Sequence, residues 1–109
     1  MGNGTATISY IWNMEQLADI KIRLQQVKAE LVQKYHVLTI GLFGSVVRED
    51  FTTGSDIDII VDFDRPVGIE FIDLGIYIEY ILRRKVDLVS KNGIKEKYYN
   101  VIKNEIVYV

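Results

Sequence analysis

Gly44-Ser45-Val46-Val47-Arg48-Glu49-Asp50 is followed, after four residues, by Ser55-Asp56-Ile57-Asp58-Ile59-Ile60-Val61-Asp62-Phe63. The second half alternates with period two. Ile57, Ile59, Val61 and Phe63 fall on one face of a strand, and Asp56, Asp58, Ile60 and Asp62 on the other. The run Val37-Leu38-Thr39-Ile40-Gly41-Leu42-Phe43 just before Gly44 reads as a buried strand. Gly44 breaks that strand, residues 45–50 suit a short helix after a tight turn, and Thr52, Thr53 and Gly54 are loop chemistry.

The flanks extend this pattern. Leu17, Ile20, Leu24, Val27, Leu31 and Tyr35 recur at steps of three and four, which predicts one helix over 14–36 with Asn13 as its N-cap. Residues 68–82 predict a second helix, 85–89 a third strand and 94–104 a last helix, ahead of a short apolar tail at 106–109. The 68–82 helix carries two apolar stripes: Ile69, Ile72, Ile76 and Tyr80, and Phe71, Leu74, Ile78 and Ile81. One stripe suffices to pack on a small sheet, so the helix is either deeply buried or presents a patch to another chain. The fold class is α/β: a single domain over 13–109 on a small mixed sheet, with residues 1–12 as a flexible leader.

Composition narrows the function classes. The 109 residues are 49% apolar, with 13 Lys and Arg against 15 Asp and Glu, a formal net charge of −2 and no cysteine. One domain's worth of core is available. A catalytic domain plus a separate substrate domain does not fit into this length. Long nucleic acid is not an expected partner, because no basic run offers it a counter-charge. The lack of cysteine excludes disulfide scaffolds, thiolate nucleophiles and Cys-bound metals, and fits a reducing cytoplasm, the expected location. No run is long and apolar enough to suggest a membrane span.

Three elements carry chemistry. A glycine at a strand end lets a ligand approach the backbone, and free N–H groups beside it suit phosphate; Gly44-Ser45 equally suits an ordinary turn. Asp56 and Asp58 point the same way, about 6.6 Å apart along the strand. Unpaired, they repel, and a divalent cation removes that penalty; a wetted strand face is the plain alternative. Asp87, inside Val86-Asp87-Leu88-Val89, joins them if its strand lies alongside, and such a trio can hold two metals for phosphoryl-type transfer. Otherwise Asp87 is an edge residue facing water. Asp62 lies about 13 Å beyond Asp58 along the strand, too far to share that site, and Asp64 belongs to the following turn. His36, the single histidine, reads as a helix-end residue.

Gly44-Ser45-x-x-Arg48-x-Asp50, then Ser55-Asp56-Ile57-Asp58, then Lys85-Val86-Asp87-Leu88-Val89 resembles the nucleotidyltransferase superfamily that includes DNA polymerase beta. The small size makes the chain similar to its minimal nucleotidyltransferase (MNT) members, the antitoxin partners of HEPN-domain toxins. That resemblance implies a nucleotidyltransferase fold with Asp56, Asp58 and Asp87 as ligands of Mg²⁺ in a two-metal site, and Asp87 also as base. It implies that Gly44 and Ser45 cradle the phosphates of an NTP, ATP being expected. Arg48 supports phosphate charge or braces the loop, Ser55 orients Asp56 or caps the turn, and Asp50 is supporting. The implied activity is transfer of AMP to a hydroxyl, a tyrosine's, on a HEPN ribonuclease toxin in a hetero-oligomer. The chain departs from the family pattern at Val47 and Glu49, where a small residue and a glycine are common. That departure raises the alternative of a non-catalytic antitoxin acting by occlusion.

Overall fold

A computed structural model of the chain describes residues 3–109. In chain order the elements are α1 (Asn3–Gln26), α2 (Lys28–Tyr35), β1 (Val37–Phe43), α3 (Ser45–Arg48), β2 (Ile57–Phe63), α4 (Ile69–Leu82), β3 (Val86–Ser90), α5 (Glu96–Ile102) and β4 (Val107–Tyr108). The sheet order is β3-β2-β1-β4. β1 is antiparallel to both β2 and β4, whereas β2 and β3 are parallel, as the long crossover through α4 permits. The mixed α/β sheet expected from the sequence is therefore present. No helix among the described residues is long and apolar enough to cross a membrane.

The predicted helical stripe is real but belongs to two helices. At Val27 the backbone leaves helical geometry (φ −108°, ψ 7°), and its N–H bonds to Leu24 O at 3.2 Å instead of continuing the four-residue ladder. The kink lets Leu24 and Leu31, on either side of it, both reach zero exposure. His36 closes α2 in the left-handed region at φ 62°. Asn13 is not the N-cap of a helix: it lies inside α1 and is buried. Of the expected leader, residues 1 and 2 lie outside the described residues, and 3–12 form the first turns of α1. The helix is anchored there by Trp12, stacked on Phe51 at 5.8 Å, and no proline interrupts the ladder upstream.

Alternation along β2 divides the apolar side chains between two faces. Ile57, Ile59 and Val61 join Ile20, Leu24, Leu31, Leu74 and Ile78 in the main core. Ile60 faces the other way, with Phe43 and Ile102 of α5.

Helix α4 resolves the question of its two stripes. Leu74, Ile78 and Leu82 are buried, with Phe71 and Ile81 packed beside them. Ile69, Ile72, Ile76 and Tyr80 are 58–74% exposed. The face carrying Ile78 and Ile81 is therefore core, and the other is the free one. Ile78→Ala should cost about 2–4 kcal/mol in denaturant unfolding. Ile76→Lys should move stability by no more than about 0.5 kcal/mol.

Candidate active site

The site lies on the sheet face opposite the main core, where β1 ends. Asp58 has Phe43 as its cross-strand partner on one side and Asp87 on the other. In a parallel pair such direct register puts the two carboxylates side by side on one face. Asp56, exposed, precedes β2 by one residue. The structure thus sets Asp58 in direct register with Asp87, and Asp56 is near enough for its charge to act on Asp58.

The arrangement is electrostatically tense. Asp58 is pushed up from 3.8 to about 6, first by burial and next by the facing Asp87 charge; Arg48 pulls the other way, and Asp56 and Glu105 push upward again. Among the described residues no three acidic or imidazole side chains converge as a preformed metal cage. The donor set still suits Mg²⁺, which takes one or two carboxylates and completes its shell with phosphate and water oxygens. Asp58 and Asp87 provide that pair, and a cation between them would relieve the repulsion that raises Asp58.

Gly44 follows directly and is required twice. Its backbone lies at φ 76°, ψ −148°, a region open essentially to glycine. A Cβ on it would also run into the Asp58 carboxylate. The loop backbone therefore lies against Asp58 itself. Ser45 begins α3, and Val47, half-buried, packs against the main core. Glu49 is exposed, in the left-handed region at φ 74°. Arg48 lies between two carboxylates: its Nη1 is 3.4 Å from Glu105 Oε1 and its Nε 4.0 Å from Asp50 Oδ1. Ser55 caps the turn, its hydroxyl accepting from Thr52 N–H at 3.0 Å and pairing with the Thr52 hydroxyl at 3.1 Å. Asp62 and Asp64 stand apart; Asp62 accepts from Phe63 N–H and Asp64 pairs with Arg65.

Two residues that the sequence reading passed over support this site. Arg84 Nη2 donates to the carbonyls of Thr52, Thr53 and Ser55 at 3.0–3.2 Å, with its guanidinium 4.6 Å from the centre of the Phe51 ring. It pegs the turn that leads into Asp56. Within Arg83-Arg84-Lys85 no sequence signal tells which cation folds inward. Arg84→Met should lower stability by about 1–2 kcal/mol. It should also speed hydrogen exchange at Ser55 and Ile57, whose amides bond to Thr52 O and Lys85 O; unchanged protection there would deny Arg84 its role. The second residue is Glu105, whose Oε1 accepts the Gly44 N–H at 3.2 Å.

A large cavity of about 840 Å³ lies off these carboxylates, between the start of α4 and the segment before α5. Its walls include Val67, Phe71, Val89, Ile94 and Tyr98, with Ser90 and Lys95 also lining it.

Comparison with known proteins finds likenesses over most of the chain. Residues 24–109 match the family model described as nucleotidyltransferase domain. The chain is 40% identical over 97 residues to the "Protein adenylyltransferase MntA" of Thermococcus cleftensis, covering 88% of this chain and 98% of that protein. It is 39% identical over 98 residues to "Putative protein adenylyltransferase MJ0126" of Methanocaldococcus jannaschii, covering 88% of this chain and all of the other. A solved structure, "Structure of putative minimal nucleotidyltransferase", superposes with a TM-score of 0.68 at 23% identity, over 87% of this chain and 93% of that one. At that identity the likeness bears on the fold.

Proposed function

Because the chain belongs to the nucleotidyltransferase domain family, we propose that it is a protein adenylyltransferase that moves AMP from ATP to a hydroxyl on a partner protein. The partner is a HEPN ribonuclease toxin, the acceptor is a tyrosine, and the modification makes this chain the antitoxin. The observation that carries the chemical part is the register of Asp58 with Asp87 beside a glycine loop that abuts Asp58. The names of the relatives, matched over 88% of this chain, support protein as the acceptor class.

The chemistry assigns each residue a task. The acceptor oxygen attacks the α-phosphorus of ATP, the bond from that phosphorus to the bridging oxygen breaks, and pyrophosphate leaves. Asp87, exposed beside Asp58, takes the hydroxyl proton. Asp56, Asp58 and Asp87 would hold Mg²⁺, which supplies charge neutralisation at the phosphates when bound. Gly44, Ser45 and Arg48 face the triphosphate, while Ser55 and Arg84 hold the turn that aims Asp56. The gain is mostly positioning and electrostatics, as phosphoryl-type transfer requires. The exposed stripe Ile69, Ile72, Ile76 and Tyr80 on α4 offers the partner an apolar seat. Adenylylation places a bulky anion on the toxin. Occlusion without chemistry would require none of the carboxylates, and Val47 packs against the core.

The test uses ATP labelled on its α-phosphate, Mg²⁺ and lysate of the source cell. A labelled protein band is expected with this protein and not with its Asp56→Asn, Asp58→Asn double variant. A stable captured partner with no label would refute transfer and leave occlusion as the function.

A further inference from the structure

The C-terminal segment is built into the phosphate loop by a sequence of packing requirements. β4 pairs with β1 through Gly41–Tyr108 and Leu42–Val107, and Val109 N–H bonds to Ile40 O at 2.9 Å. Gly41 makes this possible: a Cβ there would lie 2.5 Å from Ile106 Cγ2. Ile106 packs on the cluster of Phe43, Ile60 and Ile102. With Ile106 so fixed, Glu105 falls beside the end of β1, where Gly44 begins. Its side chain is only 22% exposed. One carboxylate oxygen accepts the Gly44 N–H at 3.2 Å and faces Arg48 Nη1 at 3.4 Å.

A backbone N–H and a guanidinium converging on one anionic oxygen are the donors a phosphate oxygen would use. Here the anion is the chain's own. We propose that Glu105 is a built-in competitor for the phosphate seat, which the triphosphate must displace, and that it sets the affinity and selectivity for nucleotide. This rests on the reading of Gly44 and Arg48 as phosphate-binding groups. A single N–H cannot serve both oxygens, and an approaching triphosphate is also repelled by the seated carboxylate. Displacement sets a threshold: ATP, with several phosphates and a cation, clears it, whereas a lone inorganic phosphate does not.

The test is calorimetric titration of the full chain with Mg-ATP and, separately, with inorganic phosphate. Glu105→Gln keeps the shape and removes the charge, and it should bind Mg-ATP about 5- to 10-fold tighter than wild type. It should also gain measurable phosphate binding. Glu105→Ala should move the same way, which covers the case of one variant folding poorly. Arg48→Met should cancel the gain in the double variant. Glu49→Gln removes one negative charge from the Gly44 loop itself without touching the seat, and should change affinity less than twofold. If wild type binds Mg-ATP but Glu105→Gln binds it equally or more weakly, Glu105 is a brace and the proposal falls, while the nucleotide reading stands. If Glu49→Gln tightens binding as much, general charge is the cause and the proposal also falls. If no variant binds Mg-ATP, the nucleotide reading falls and takes the proposal with it.

Discussion

Asp58→Asn is expected to end nucleotidyl transfer and at the same time to raise the melting temperature. Loss of transfer follows from the position of Asp58, between Asp87 and the Gly44 loop, where it would bind the metal. The gain in stability follows from its environment. Its carboxyl titrates near 3.8 in a free chain and at about 6 in the fold. The folded state therefore holds the proton more tightly, and stability falls as pH rises from about 4 to about 6. Above that window the charged form carries its full penalty; below it the penalty is absent. A shift of this size corresponds to at most about 3 kcal/mol, and partial exposure with solvent screening reduces it to about 1 kcal/mol. For a domain of this size that is roughly 5 °C. The difference between variant and wild type should be largest at pH 7 and vanish near pH 4. Saturating Mg²⁺ with nucleotide should stabilise wild type and leave the variant unmoved. A variant less stable than wild type at pH 7 would show that Asp58 is a structural acceptor, not a strained ligand.

Gly44→Ala should have the largest single-residue effect outside the core. Its backbone conformation penalises any side chain by about 1–3 kcal/mol. The new methyl would also have to displace the Asp58 carboxylate. The two penalties together should destabilise the protein by about 2–4 kcal/mol and remove transfer, because relief of either one moves the loop or the ligand. Gly54→Ala is the matched control: apart from its chain neighbours, nothing lies within 4 Å of a Cβ there. It should leave both stability and activity near wild type. Equal behaviour of the two variants would sink the claim that loop and carboxylate are packed against each other.

What could be read from the sequence was whatever local periodicity determines. The β1 run and the alternation in β2 follow from strand geometry. The placement of Asp87 required a neighbouring parallel strand, and the direct register with Asp58 supplies it. Tertiary choices were not legible. The α1–α2 kink at Val27 depends on burying Leu24 and Leu31 together, and the helical stripe continues smoothly through it. The free face of α4 could not be chosen from two equivalent stripes. Residues 3–12 read as a leader because the anchor for Trp12, Phe51, lies far along the chain. Arg84 and Glu105 act through contacts separated by about 30 and 60 residues, so no local pattern marks them.

The stack of Trp12 on Phe51, with Arg84 4.6 Å from that same ring, has an optical consequence. Trp12 is the chain's single tryptophan, so its emission comes from one place. That place is coupled through Phe51 and Arg84 to the turn entering Asp56. Every rearrangement of the carboxylate row that loosens this turn changes the polarity around one indole. The protein thus carries its own fluorophore, and loop motion during a catalytic cycle can be followed in stopped flow without a label.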